Sequence, residues 1–188
     1  MNFTELAKNR YSERRFSSKA LDDEILSLIL DAGMLAPTGV NWQPQRMLVI
    51  SSEDGMKKLG ECTPFVYGAP CAVIMCYDRN ACWRSSEGRD VGQIDVTLVM
   101  SHMIFAAEEI GVHSLIVAGY RENDLREKFA IPDYLEPVSI LMLGYPSDRS
   151  RPQEKLHFSR KSVDEVTWFE TFEGIEPAED LNSTHKII

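Results

Sequence analysis

The chain has 188 residues, of which 44% are hydrophobic, and its formal net charge is −9. That length suits one domain, or one domain with an appendage, and the apolar content can fill a substantial core, so a wholly disordered chain is excluded. The acidity argues against a nucleic-acid partner, because binding such a polymer requires a broad basic surface that neutralises many phosphates.

The N-terminal sequence MNFTELAKNR lacks the apolar core of a signal peptide. No apolar run approaches the roughly 18 to 20 residues of a membrane-spanning helix, so we expect a cytoplasmic protein with no membrane contact. Four cysteines occur without a C-x-x-C pair, at Cys62, Cys71, Cys76 and Cys82. Buried free thiols are favoured over an iron–sulfur or zinc site, and we predict no metal.

Helices and strands are predicted to alternate along the chain. Asn2 and Glu5 form the pattern of a capping box for a short helix that delivers the chain to Arg10. A second helix begins in the acidic stretch at 21–24, and Pro37 stops it. Strands are predicted at 46–51, 71–77, 113–119 and 137–144, short helices at 54–61 and 123–131, and loops at 37–45 and 78–89.

The longest helical candidate covers residues 91–110, with Asp90 as its predicted N-cap and Gly111 as its stop. Its apolar residues cover more than one face, so we expect a central helix, packed on its own sheet and on a second subunit. The mixture of strands and helices favours an α+β or α/β layered fold. After Tyr145 the sequence becomes polar, with a second capping box at Ser162 and Glu165.

The segment RYSERRF (10–16) places a cationic cluster in an acidic chain. In an extended backbone Arg10, Ser12 and Arg14 would share one side, and two guanidiniums flanking a hydroxyl make a receptor for a small anion such as a phosphate. Arg15 would lie on the other side. The alternative is a solvated basic turn, paired with three nearby acidic residues: Glu13, Asp22 and Asp23.

The segment APTGVNWQPQ (36–45) offers neutral hydrogen-bonding groups on Thr38, Asn41 and Gln43. Such side chains, in a loop shaped by proline and glycine, suit the edge of a heterocycle such as a flavin or a purine. A polar turn between a helix and a strand is the alternative.

Together, and in this order, the two segments resemble the nitroreductase family, whose pattern is R-x-S-x-(R/K)-x-F followed by P-(S/T)-x-x-N-x-Q-P. Two further segments, AAEEIGVHSLIVAGY (106–120) and IPDYLEPVSILMLGYP (131–146), are similar to the helix-to-strand segment and the closing strand of that family. The resemblance covers roughly residues 4–166. It departs from the family at Gln45, where an aromatic residue is frequent, and no residue can be assigned to substrate stacking.

The resemblance implies an α+β fold: a three-layer sandwich with a central, mostly antiparallel sheet flanked by helices, in an interlocked homodimer with FMN at the subunit interface. Residues 1–166 would form one FMN-binding domain. Residues 167–188 would form a C-terminal extension that packs on the partner subunit or is frayed.

The resemblance also implies the cofactor-binding residues. Arg10 and Ser12, with Tyr11 between them, would hold the phosphate and ribityl chain of FMN, and Arg14 would reach the pyrimidine edge. The remaining candidates are Pro37, Thr38, Asn41 and Gln43 for the cofactor of the partner subunit, Val117, Ala118 and Gly119 near flavin N5, and Arg160 and Lys161 near the phosphate.

The implied activity is two-electron transfer from NADH or NADPH to a nitroaromatic, a quinone or a similar small acceptor, by a ping-pong mechanism. No catalytic side chain is expected, since a flavin carries the chemistry and the protein orients it. His102 and His113 are interpreted as core or interface residues. Two alternatives stay open: another flavin chemistry on the same scaffold (dehalogenation, dehydrogenation or flavin breakdown), and a non-enzymatic FMN-binding module.

Overall fold

A four-stranded antiparallel sheet lies at the centre of the first part of the chain. This computed structural model describes residues 2–178. The strands are β1 (Gln45–Ile50), β2 (Cys71–Asp78), β3 (His113–Val117) and β4 (Leu135–Gly144). They are arranged in the order β1-β2-β4-β3, and all three neighbouring pairs are antiparallel. The predicted α+β class is therefore confirmed.

Five helices accompany the sheet: α1 (Phe3–Asn9), α2 (Asp23–Met34), α3 (Glu53–Gly60), α4 (Gly92–Glu109) and α5 (Glu122–Lys128). The predicted capping box of α1 is confirmed, because Asn2 and Glu5 exchange two side-chain to backbone hydrogen bonds of 3.0 Å. The predicted N-cap of α4 is wrong. Val91 takes that position, while Asp90 accepts a hydrogen bond from the Tyr77 hydroxyl at 3.5 Å.

Both faces of β2 are buried, and they divide the interior into two apolar cores. Odd-numbered residues such as Val73 and Met75 pack with α2 and α4, while even-numbered residues such as Ile74 pack with Leu59 of α3 and Leu125 of α5. Successive side chains of a strand point to opposite faces, so helices cover the sheet on both sides. The predicted three-layer sandwich follows from this arrangement.

Helix α4 is buried along one broad face, through residues such as Val96, Val99 and Met103. Two of its apolar residues are left uncovered within this chain, since Ile94 is 51% exposed and Leu98 is 37% exposed. Gly111 ends the helix as predicted, with a positive φ of 77° that favours glycine.

The described residues divide into two compact units between Pro152 and Gln153. The second unit contains α6 (Glu154–His157) and a 3₁₀ turn (Val163–Glu165), whose predicted capping box with Ser162 is confirmed. The boundary expected after residue 166 stays a prediction, and residues 179–188 of the predicted extension lie outside the described residues. Among residues 2–178, no helix is both long enough and apolar enough to cross a membrane.

Replacing Gly92 with alanine should destabilise the protein, because the added Cβ would lie 2.1 Å from Cδ2 of the buried Tyr77 ring. Overpacking of this kind lowers the free energy of unfolding by about 1 to 3 kcal/mol. Gly60→Ala is the matched control, since a Cβ there meets nothing within 4 Å. Urea denaturation should show a loss for the first variant and none for the second. Equal midpoints for both variants would contradict the clash.

Candidate functional site

The segment that carries the first motif runs beside the start of β3. Ser12 forms a parallel bridge with Ser114, and the N–H of Glu13 donates to the Ser114 carbonyl at 3.0 Å. Further along, the buried Phe16 forms an antiparallel bridge with Pro146. The segment is therefore fixed to the sheet at Ser12 and at Phe16.

Tyr11 and Glu13 share a hydrogen-bond partner. The Tyr11 hydroxyl lies 2.6 Å from Ser150 Oγ, and the Ser150 hydroxyl donates a hydrogen bond to the Glu13 carboxylate. Arg10, Ser12 and Arg14 are all partly exposed. Of these predicted receptor residues, Ser12 and Arg14 are in direct contact, since Arg14 Nη1 donates to the Ser12 carbonyl at 3.1 Å.

Sequence reasoning missed the role of Glu13, which is only 1% exposed. Burial by itself raises the pKa of Glu13, but hydrogen bonds from His113, from Ser150 and from the backbone N–H of Arg15 outweigh it and lower that pKa below its usual value. The carboxyl group is therefore ionised at neutral pH. No signal in the sequence marks it, because a glutamate among arginines is typical of a solvated ion pair.

Backbone strain distinguishes the loop that carries the second motif. It contains a 3₁₀ turn (Gly39–Asn41), and Val40, Asn41 and Gln43 have positive φ angles of 53°, 59° and 51°. A β-branched residue such as Val40 is rarely left-handed, and each residue held in such a conformation costs on the order of 1 to 3 kcal/mol. Strain of this kind persists only where the surroundings enforce it.

Two side chains hold the strained loop in place. Asp95, in the first turn of α4, accepts a hydrogen bond from the Gly39 N–H at 2.8 Å. Thr38 Oγ1 accepts one from the Gln43 N–H at 3.1 Å. Asp95 is 2% exposed, and its other oxygen, Oδ2, has no hydrogen-bond partner among residues 2–178. Nothing in the sequence marks Asp95 for this role.

The third group of candidates follows β3. Val117 is buried in the core, whereas Ala118 and Gly119 are exposed. The Gly119 carbonyl accepts a hydrogen bond from Thr63 Oγ1 at 2.6 Å, and a Cβ at Gly119 would lie 2.9 Å from the Phe65 ring. The glycine is thus required by Phe65, and its backbone is held in a defined orientation.

The basic pair Arg160 and Lys161 lies in the second unit, and both residues are exposed. The Arg160 guanidinium donates to the carbonyls of Leu156 and Ser159 at 2.8 and 3.0 Å, so it caps the end of α6.

The described part of the chain contains no group of three His, Cys, Asp or Glu side chains that could hold a metal ion. All four cysteines are free and buried. Burial raises the pKa of the Cys71 and Cys76 thiols to about 11, which keeps them protonated at neutral pH and unreactive as ligands or nucleophiles.

The structure does not bring the first two motifs together within one chain. Ser12 lies beyond β3 and is level with Cys71, at one end of β2. Pro44 precedes β1, and its carbonyl accepts a hydrogen bond from the N–H of Asp78, at the other end of β2. The offset is about seven residues along β2 and about four strand spacings across the sheet, or roughly 30 Å. The two motifs occupy diagonally opposite corners.

The strained loop generates a prediction at Val40, whose side chain is 66% exposed. Val40→Gly should be more stable than Val40→Ala by about 1 kcal/mol, because alanine keeps the left-handed penalty and glycine removes it. In the middle of a helix or strand, by contrast, an alanine variant is more stable than a glycine variant by about 0.5 to 1 kcal/mol. Thermal and urea denaturation of the two variants measure the difference. A more stable alanine variant would show that the loop is not left-handed at this position.

Comparison with known proteins supplies the family. The profile of the Nitroreductase family matches residues 7–63 and 61–145. A proposed NADH dehydrogenase/NAD(P)H nitroreductase from Archaeoglobus fulgidus is 31% identical over 146 residues, which covers 74% of this chain and 82% of that protein.

Solved structures agree with the sequence comparison. The crystal structure of a nitroreductase family protein from Clostridium difficile 630 is 38% identical, has a TM-score of 0.85 and is matched over 91% of this chain and 99% of that one. A proposed nitroreductase from Exiguobacterium sibiricum, solved in complex with FMN, shares the fold with a TM-score of 0.80 at 22% identity, over 90% of this chain and 98% of that one. This chain belongs to the nitroreductase family.

Proposed function

We propose that this protein is a homodimeric, FMN-dependent NAD(P)H oxidoreductase, in which two electrons enter from NADH or NADPH and leave to a nitroaromatic, a quinone or a similar acceptor in separate, ping-pong steps. The observation that carries the proposal is the set of partly exposed residues Arg10, Ser12 and Arg14 on a segment that is fixed to the sheet, in a chain of this family. The FMN complex of the Exiguobacterium protein supports the identity of the cofactor.

The outer side of the first motif suits FMN. Guanidinium forks match phosphate oxygens, and charge-assisted hydrogen bonds are about twice as strong as neutral ones. We assign Arg10, Tyr11 and Ser12 to the phosphate and ribityl end, and Arg14 to the pyrimidine edge. Arg160 and Lys161 are further candidates for the phosphate.

Bound FMN supplies two-electron transfer at its N5 atom. The Arg14 guanidinium would stabilise negative charge on the pyrimidine edge, since a fixed cation acts most strongly where charge develops. Ala118 and Gly119, next to the buried Val117, have exposed backbone without a bulky side chain and would lie near N5. Thr63 holds that backbone in one orientation through the Gly119 carbonyl.

The separation of the two motifs supports a site shared between subunits. Ser12 and Pro44 lie near opposite corners of one sheet, roughly 30 Å apart by strand spacing, so both motifs of one chain cannot hold the same end of one small cofactor. In a two-fold dimer the loop of one subunit can meet the arginines of the other. We assign Pro37, Thr38, Asn41 and Gln43 to the cofactor bound by the partner.

An apolar surface beside this loop suits the subunit contact. Val40, Trp83, Ile94 and Leu98 line a cavity of about 450 Å³ at the start of α4. Exposed large apolar residues that are this close together mark an interaction surface. We propose that a second copy of the chain covers this surface.

The four free cysteines suit a reducing compartment, so we propose that the protein is located in the cytoplasm.

The anchoring assignment predicts that Arg10→Ala and Arg14→Ala lose FMN. Each substitution removes charge-assisted bonds worth about 1.5 to 3 kcal/mol, so the dissociation constant should rise by about tenfold or more. Arg15→Ala is the matched control, because Arg15 is exposed and its guanidinium donates to the Arg149 carbonyl. Flavin absorbance of the purified proteins gives the occupancy. Full occupancy in both test variants would refute the assignment.

The activity itself is tested by anaerobic titration with NADH and with NADPH. Bleaching of the bound flavin, followed by recovery of its colour on adding a nitroaromatic or a quinone, is the expected result. Failure of both nicotinamides would favour the non-enzymatic FMN-binding module. Bleaching without recovery by either acceptor would favour a different flavin chemistry on the same scaffold.

The proposed subunit contact predicts that Ile94→Glu yields a monomer with little bound FMN. The dimer should dissociate because a carboxylate in an apolar contact must be desolvated. FMN should be lost because the monomer lacks the loop that the partner subunit would supply to the site. Leu48→Glu is the control, since Leu48 is also exposed, at 41%, but lies on β1 outside this surface. Analytical ultracentrifugation gives the mass. A monomeric Ile94→Glu protein with full FMN would contradict a shared site.

A further inference from the structure

The buried carboxylate of Glu13 lies inside the segment that presents the anion receptor. Its neighbours Ser12 and Arg14 are partly exposed, whereas Glu13 is 1% exposed and ionised. A fixed negative charge directly behind a phosphate receptor should weaken phosphate binding. The hydrogen bonds that Glu13 accepts must therefore offset that repulsion.

Four hydrogen bonds converge on this carboxylate. Oε1 accepts from the backbone N–H groups of Arg14 and Arg15 at 3.0 and 2.7 Å. Oε2 lies 3.0 Å from His113 Nδ1 and accepts from the hydroxyl of Ser150, which also bonds the Tyr11 hydroxyl. Glu13 therefore ties its own segment to the first residue of β3 and to the turn that follows β4.

We propose that Glu13 is a positioning residue that presets the anion receptor. Because its carboxylate accepts from two successive backbone N–H groups and also bonds His113 and Ser150, it fixes the backbone on both sides of Glu13, and with it the positions of Ser12 and Arg14. Its charge also offsets the repulsion among three guanidiniums within six residues, which would otherwise disorder the segment before a ligand binds. The inference rests on the proposed function, in which the receptor holds the FMN phosphate.

Positioning and simple electrostatics predict opposite results when Glu13 is neutralised. If the carboxylate only repels the phosphate, Glu13→Gln should bind FMN more tightly. If it sets the geometry of the receptor, both Glu13→Ala and Glu13→Gln should bind FMN more weakly. The glutamine effect should be smaller, since an amide oxygen can still accept from the backbone N–H groups, although with neutral bonds.

The experiment compares FMN with riboflavin, which lacks the phosphate, as ligands of the dimeric protein freed of its flavin. Quenching of flavin fluorescence gives both dissociation constants. For Glu13→Ala we expect the FMN constant to rise at least tenfold and the riboflavin constant to rise by a smaller factor, because riboflavin keeps the ribityl chain and the pyrimidine edge but lacks the phosphate, so that the preference for FMN falls. Glu127→Gln, an exposed substitution with the same charge change, should keep the wild-type preference.

Three outcomes would overturn the inference. Equal weakening of both ligands would mean that Glu13 only stabilises the scaffold. Tighter FMN binding by Glu13→Gln would mean that repulsion dominates, and an unchanged FMN preference in both variants would mean that Glu13 does not act on the receptor. If Glu13→Ala does not fold, the FMN and riboflavin dissociation constants of Glu13→Gln decide between positioning and repulsion. Arg10→Ala separates this inference from the function, because an unchanged FMN preference there would refute the receptor itself, whatever Glu13 does.

Discussion

Burial of both faces of β2 is the constraint on which the rest of the structure depends. Apolar side chains alternate along this strand without a polar interruption, so each face needs its own cover, and α2 with α4 on one side and α3 with α5 on the other provide it. The middle of the sheet is then filled by close-packed side chains. Charged groups such as Arg10 and Arg14 can lie only at the edges, and the sheet has two.

Opposite edges have a consequence for function. A domain with one polar cleft can complete a site by itself, but this chain separates its cationic segment from its strained loop by the full width of the sheet. Under the proposed function each segment supplies part of a flavin site, and the apolar start of α4 is the proposed contact between the two copies.

Sequence reasoning could predict the elements whose signal is local. The apolar run at β2 and the capping boxes at Asn2 and Ser162 each depend on near neighbours in the chain. Glu13 and Asp95 could not be recognised, because their partners are distant in the sequence: His113 is 100 positions from Glu13, and Gly39 is 56 positions from Asp95. An acid next to polar residues is usually solvated. Left-handed Val40 was hidden for the same reason, since local preference opposes it. Long-range contacts overrode propensity at the very positions that shape the site.

Those same positions are costly for the fold. A carboxyl group removed from water loses hydration, and both buried acids recover part of it by accepting from backbone N–H groups of the motifs that they hold: Glu13 from Arg14 and Arg15, and Asp95 from Gly39. A chain selected for stability alone would replace both with apolar residues. Their presence is explained if the motifs must be rigid before a ligand arrives, because a receptor ordered during folding loses less conformational entropy on binding. Stability lost at these two carboxylates can thus reappear as affinity for the flavin.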